Sequence, residues 1–105
     1  MKKLPRLLAR AFAVLLLAAP LAAGAAERTV LVFGDSLSAA YGLATRDGWV
    51  ALLGERLARE RPAWRVVNAS VSGETTAGGL RRLPEDLKRH GPAVVVIALG
   101  ANDGL

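Results

Sequence analysis

Three short apolar runs, two of them almost free of polar residues, govern what this chain can fold into. They are Thr29-Val30-Leu31-Val32-Phe33, Trp64-Arg65-Val66-Val67-Asn68 and Ala93-Val94-Val95-Val96-Ile97-Ala98-Leu99. The first and third are nearly continuous β-branched or apolar sequence, the signature of strands covered on both faces. Two segments of helical period separate them. Val50, Leu53 and Leu57 recur at i, i+3, i+7, so a helix is expected from about Trp49 to Arg61, capped by Asp47 and stopped by Pro62. Leu80, Leu83 and Leu87 repeat the spacing from about Thr76 to Arg89, and Gly91-Pro92 ends that segment. Pro84 inside it leaves a kink or a break there as an alternative to a continuous helix.

The alternation β-α-β-α-β demands helical crossovers, hence parallel strands joined by right-handed connections. The expected class is α/β: a flavodoxin-like, three-layer α/β/α arrangement with a parallel sheet in the order 2-1-3. That order puts the first strand in the middle.

The residues before the first strand read differently. Lys2, Lys3, Arg6 and Arg10 form a basic start, an apolar run from Ala11 to Ala19 follows, and Pro20 leads into Leu21-Ala22-Ala23-Gly24-Ala25-Ala26. This is the three-part pattern of a secretory signal peptide, with Ala23-Gly24-Ala25 as the cleavage box. The division is 1–25 as leader and 26–105 as the folded part, with the product periplasmic or secreted. The alternative is an uncleaved anchor, but the apolar run falls short of the about 20 residues a membrane span needs. No stable membrane span is expected after cleavage.

The leader also distorts the charge. The chain carries 14 Lys+Arg and 9 Asp+Glu, a net +5. Setting aside the four leader cations leaves ten basic against nine acidic residues, a net +1. With no basic stripe and no interleaved aromatics, nucleic acid is not an expected partner. There is no cysteine, so thiolate catalysis, disulfides and thiolate metal sites are excluded within these residues. Cleavage after Ala25 leaves 80 residues, small for an open α/β sheet. The sequence stops at Asn102-Asp103-Gly104-Leu105, straight after a strong strand. It is read as the N-terminal piece of a longer protein.

Ligands of an open parallel sheet bind outside the carboxyl ends of its strands, where strand order reverses. Three segments should meet there: Gly34-Asp35-Ser36-Leu37-Ser38, Asn68-Ala69-Ser70-Val71-Ser72-Gly73-Glu74-Thr75 and Gly100-Ala101-Asn102-Asp103. They bring a hydroxyl, a glycine turn and a carboxamide, which are the parts of an acyl-transfer site. Ser36 offers a nucleophilic oxygen. The Gly73 N–H can approach a substrate with no Cβ in the way. The Asn102 amide can donate to a developing oxyanion, with the Ser36 N–H as a further donor. Alone, each has a bland explanation: a cap or turn serine, a turn glycine, an Asn-Asp-Gly turn. Joint placement at three adjacent strand ends favours function.

Gly34-Asp35-Ser36-Leu37 resembles the first block of the GDSL, or SGNH, hydrolases. Gly73 falls at the second-block glycine, and Gly100-Ala101-Asn102-Asp103 matches the third block, Gly-x-Asn-Asp. The likeness covers nearly everything after the leader. It is nearest to the bacterial periplasmic arylesterase and multifunctional thioesterase/lysophospholipase branch, on the stretches Gly34 to Leu43 and Val67 to Thr75. The resemblance implies Ser36 as nucleophile of a carboxylic ester hydrolase, with the Ser36 N–H, Gly73 N–H and Asn102 as oxyanion hole. It implies a small-molecule ester, thioester or lysophospholipid substrate, and no metal or organic cofactor.

The family's fourth block, Asp-x-x-His, is absent. The one histidine, His90, should end the second helix at the amino edge of the sheet, roughly 20 Å from the catalytic edge at about 3.3 Å per residue. The base and its carboxylate are therefore expected outside this sequence, leaving these 105 residues inactive alone. Asp35 and Asp103 are read as bonding the backbone of their own turns, Glu74 as a pocket or solvated loop carboxylate, and Tyr41 and Leu43 as an acyl-binding wall or core packing. Rival functions are an acetyl-carbohydrate esterase of the same fold and a flavodoxin-like phosphate-binding module. The second lacks the glycine-rich phosphate signatures. A phosphoaspartyl enzyme at Asp35 lacks a second acidic residue in its loop for Mg²⁺.

Overall fold

The computed structural model describes residues 26–105, and the proposed leader lies outside the described residues. Strand β1 spans Arg28–Gly34, helix α1 Trp49–Glu60, β2 Trp64–Asn68, α2 Thr76–His90 and β3 Val94–Ala98. The strands form one parallel sheet in the order β2-β1-β3. Val30 pairs with Val66 on one side and Val94 on the other, and Gly34 pairs with Ala98. The expected order and strand direction are both realised.

Being central, β1 carries the core. Leu31, Val32 and Phe33 are fully buried. The two-residue period of a strand sends alternate side chains to opposite faces. Val30 and Val32 cluster with Val50 of α1, joined by Leu57, Trp64, Val66 and Val96. On the other face Phe33 lies against α2 at Gly79, where an added Cβ would stand 3.0 Å from the Phe33 ring and 2.7 Å from Leu99 Cδ1. Glycine costs a helix about 1 kcal/mol relative to alanine. Its presence at Gly79 is explained by this close approach of helix to sheet.

Two sequence expectations need correction. Asp47 does not cap α1. Thr45–Asp47 form a 3-10 turn whose last carbonyl-to-amide link, Gly48 N–H to Thr45 O at 3.1 Å, makes Gly48 the cap residue. Asp47 stays exposed, 4.0 Å from Arg46. Pro84 does not break α2, which runs continuously to His90. The residue it deprives of a helical hydrogen bond, Leu80, sits in the exposed part of the helix, within reach of water. Among the described residues the Leu80, Leu83, Leu87 stripe lies partly open: Leu80 is 72% and Leu87 37% exposed. With Leu83, Phe33, Ile97 and Leu99, Leu80 borders a shallow apolar groove between α2 and β3. The ends of α2 behave as expected, with Thr75 Oγ1 accepting from Gly78 N and Gly91 in the left-handed conformation at the C-terminus. Among the described residues no helix is long and apolar enough to cross a membrane.

Candidate active site

The carboxyl end of β1 runs into a tight turn. Asp35 is buried, and its Oδ1 accepts from the Leu37 N–H at 3.1 Å, the local bond expected of it. Its carbonyl accepts from the amides of Ser38 and Ala39. Ser36 is thereby held at the crest, partly exposed. Gly34 is required by packing: an added Cβ would lie 2.7 Å from Ser38 Oγ and 3.1 Å from the Ala98 carbonyl. Neighbouring elements clamp the turn. Asn68 Nδ2 donates to the Ser38 carbonyl at 2.8 Å, Trp49 Nε1 donates to Ser38 Oγ at 3.2 Å, and Gly34 N donates to Ser70 Oγ at 3.1 Å. The Val71 N–H bonds to the Gly34 carbonyl, so the chain leaving β2 continues alongside the Ser36 turn.

Gly73 lies in that continuation with φ +82, in the left-handed region. An added Cβ there would touch nothing. The requirement for glycine shown here is therefore conformational. Asn102 lies in the turn after β3 and donates from Nδ2 to the Glu74 carbonyl at 2.9 Å. A carboxamide nitrogen has two hydrogens, so one remains for another acceptor. Among the described residues no acceptor takes the amide hydrogens of Ser36 or Gly73. Ser36, Gly73 and Asn102 thus sit on three loops at one sheet edge, the first two joined by the bonds at Gly34 and the last two by the Asn102–Glu74 bond.

The carboxylates of this edge have definite tasks. The Asp103 carboxylate does not bond its own turn. It accepts from Thr76 N and Thr76 Oγ1, both at 2.8 Å, and so ties the β3 turn to the start of α2. These bonds hold its carboxyl below the usual aspartate range. Negative charge is also favoured at a helix N-terminus. Glu74 is not a solvated loop group. Its carboxylate, with its side chain only 12% exposed, accepts from Arg82 Nε at 2.7 Å and from Thr75 N at 3.0 Å. The Arg82 bond, foremost, holds its carboxyl below the usual glutamate range. Among the described residues Tyr41 and Leu43 are 78% and 61% exposed and pack into no core. His90 ends α2 at the opposite edge, beside the start of β1, where the Ala93 N–H bonds to the Thr29 carbonyl. Five strand residues, about 17 Å at 3.3–3.4 Å each, separate Thr29 from Gly34.

The sequence model of GDSL-like lipases and acylhydrolases matches residues 32–105. The chain belongs to this family. It is 64% identical over 81 residues to the esterase TesA of Pseudomonas aeruginosa, covering 77% of this chain and 40% of that protein. It is 48% identical over 81 residues to thioesterase 1/protease 1/lysophospholipase L1 of Escherichia coli, covering 77% and 38%. The crystal structure of TesA superposes with a TM-score of 0.71, covering 73% of this chain and 43% of that one. AlinE4, described as an SGNH-hydrolase family esterase, does so with a TM-score of 0.67 at 39% identity, covering 76% and 43%. The fold is that of the SGNH hydrolases, and the chain spans about two fifths of the length of these relatives.

Membership of the GDSL-like family was legible in its three blocks, but the residues that fasten the blocks together were not. Trp49 and Arg82 lie outside the stretches that carry the likeness, Asn68 and Glu74 lie within Val67 to Thr75 with nothing local to show what they bond, and the partners lie 8 to 30 positions away in sequence. The available signal was Gly78-Gly79 inside a helix, where two glycines in succession mark close approach. Gly79 admits Phe33 and Leu99, and a Cβ on Gly78 would fall on Glu74 Oε1.

Proposed function

We propose that this chain contributes the nucleophile and oxyanion donors of a periplasmic or secreted carboxylic ester hydrolase, directed there by the leader at 1–25. Ser36 Oγ attacks the acyl carbonyl carbon while a general base takes its proton. The resulting oxyanion accepts from the Ser36 N–H, the Gly73 N–H and the free hydrogen of Asn102 Nδ2. Collapse of the tetrahedral species releases the alcohol or thiol and leaves an acyl-serine. Water, activated by the same base, then frees the acid. The observation that carries the reading is that the Ser36 and Gly73 amides find no acceptor among the described residues, while Asn102 spends one hydrogen on Glu74 and keeps one.

Substrates in this reading are small aryl esters, acyl thioesters or lysophospholipids, the classes named in the relatives' own descriptions. Exposed Leu37, Tyr41 and Leu43, beside Ser36, offer apolar surface for the acyl portion. A similar esterase, EstA of Pseudoalteromonas, has been solved inhibited by monoethylphosphonate (50% identity, TM-score 0.69, covering 74% of this chain and 43% of that one). That supports a phosphonate-reactive centre here. The base comes from sequence beyond these residues, since His90 lies at the other edge.

The test is fluorophosphonate labelling and p-nitrophenyl acetate turnover by the full-length parent and by the 105-residue chain. The parent is expected to label on Ser36 and to lose turnover in Ser36→Ala. The 105-residue chain is expected to show negligible turnover. Removing one oxyanion donor, in Asn102→Ala, is expected to lower kcat about 10²–10³-fold. Robust turnover by the short chain, abolished by His90→Ala, would refute the assignment of the base.

A further inference from the structure

Glu74, next to Gly73, has every polar atom committed. Its N–H donates to the Val71 carbonyl, its own carbonyl accepts from Asn102, Oε1 accepts from Thr75 N and Oε2 accepts from Arg82 Nε. One residue therefore joins the Gly73 loop, the Asn102 turn and helix α2. Arg82, two turns into α2, reaches the same loop at its other end, donating from Nη1 to the Ala69 carbonyl at a long 3.4 Å. Its guanidinium lies 4.6 Å over the ring of Phe33, three residues before Ser36, and 3.5 Å from Asp86 Oδ2. Phe33 is fully buried, so the guanidinium rests on an immobile surface.

We propose that Arg82 and Glu74 are a positioning pair that fixes the two oxyanion donors, the Gly73 N–H and Asn102 Nδ2, relative to each other and to Ser36. This rests on the acyl-serine reading above and adds residues to it that touch no reacting atom. Three features single the pair out from an ordinary ion pair. The contact is short and half-sheltered, whereas Arg56–Glu60 on α1 and Arg89–Glu85 on α2 are exposed helix pairs. The glycine at 78 leaves space that a Cβ would take from the Glu74 carboxylate. Arginine alone combines a planar face for Phe33 with separate donors for Glu74 and the Ala69 carbonyl; lysine has one compact charge and cannot do all three.

Arg82→Lys and Glu74→Gln, made in the full-length parent, test this. Both are expected to lower kcat by about 10- to 100-fold, the loss that misplacement on the ångström scale produces. KM is expected to stay within about twofold, since the donors act on charge that develops only in the transition state. Asp86→Asn removes the other carboxylate beside Arg82 and is expected to keep wild-type kcat. Active sites are titrated with the fluorophosphonate, so that kcat refers to folded enzyme only. Glu74→Gln is isosteric and carries the test if Arg82→Lys does not fold. Unchanged kcat in Glu74→Gln, or a rise in KM alone, overturns the positioning role. A parent that the fluorophosphonate does not label at Ser36 instead overturns the acyl-serine reading.

Discussion

The two sides of this site are held by different forces. The Ser36 turn is clamped to its neighbours by uncharged groups: Asn68 on the Ser38 carbonyl, the Trp49 indole on Ser38 Oγ and the Ser70 hydroxyl on Gly34. The Gly73 and Asn102 loops are clamped by ionised ones, Glu74 with Arg82 and Asp103 with Thr76. Packing backs the first set, because Ser38 is buried between Gly34 and Trp49. The second set stands at the rim, where water and protons have access. The Ser36 side should therefore respond chiefly to changes of volume, and the Gly73–Asn102 side chiefly to changes of charge.

The largest effect should come from volume on the Ser36 side. Gly34→Ala forces a methyl group against Ser38 and the Ala98 backbone, and is expected to destabilise by about 1–3 kcal/mol. Urea unfolding followed by circular dichroism measures it. A neutral result would mean that the turn yields and that its uncharged clamp is weak. A smaller loss is expected at the start of α2. Thr75→Ala removes a cap and should cost about 1 kcal/mol. Asp47→Ala, at the start of α1, should stay within about 0.5 kcal/mol because Asp47 caps nothing. Equal losses in the two variants would restore Asp47 as a cap.

The smallest effect is local and acidic. Both Glu74 and Asp103 have carboxyls held below their ordinary values, so their contribution is whole above the ordinary carboxylate range, about pH 4. It is lost as pH falls below that range through their depressed folded values. Amide hydrogen exchange, corrected for intrinsic rates, should accelerate at Thr75 and Thr76 under these conditions before it does at Ala39 or Val71. Acceleration at all four together would erase the distinction between the two sides.

The legible part of this molecule was the part written in periodicity. Continuous apolar runs gave β1 and β3, Pro62 and Gly91-Pro92 gave the helix ends, helical crossovers gave parallel strands, and the flavodoxin-like class gave the order 2-1-3. Ser36, Gly73 and Asn102 stood out because each follows a strand. Illegible were the bonds made at a distance. Nothing in the local sequence of Asp103 distinguishes a carboxylate that bonds its own turn from one that reaches Thr76, 27 positions earlier. Helical spacing in α2 marked an apolar stripe but not that helix and sheet would meet instead at Gly79 and Arg82. Asp47 was misjudged because a 3-10 turn and a cap draw on the same residue types.

The central place of β1 has a consequence for how the protein is made. Gly34, at the end of the first strand synthesised, pairs with Ala98, 64 positions later. At about 5–20 residues per second, a ribosome needs roughly 3–13 s to supply that partner. Throughout that interval the emerging chain has no complete sheet in which to bury Leu31 and Phe33.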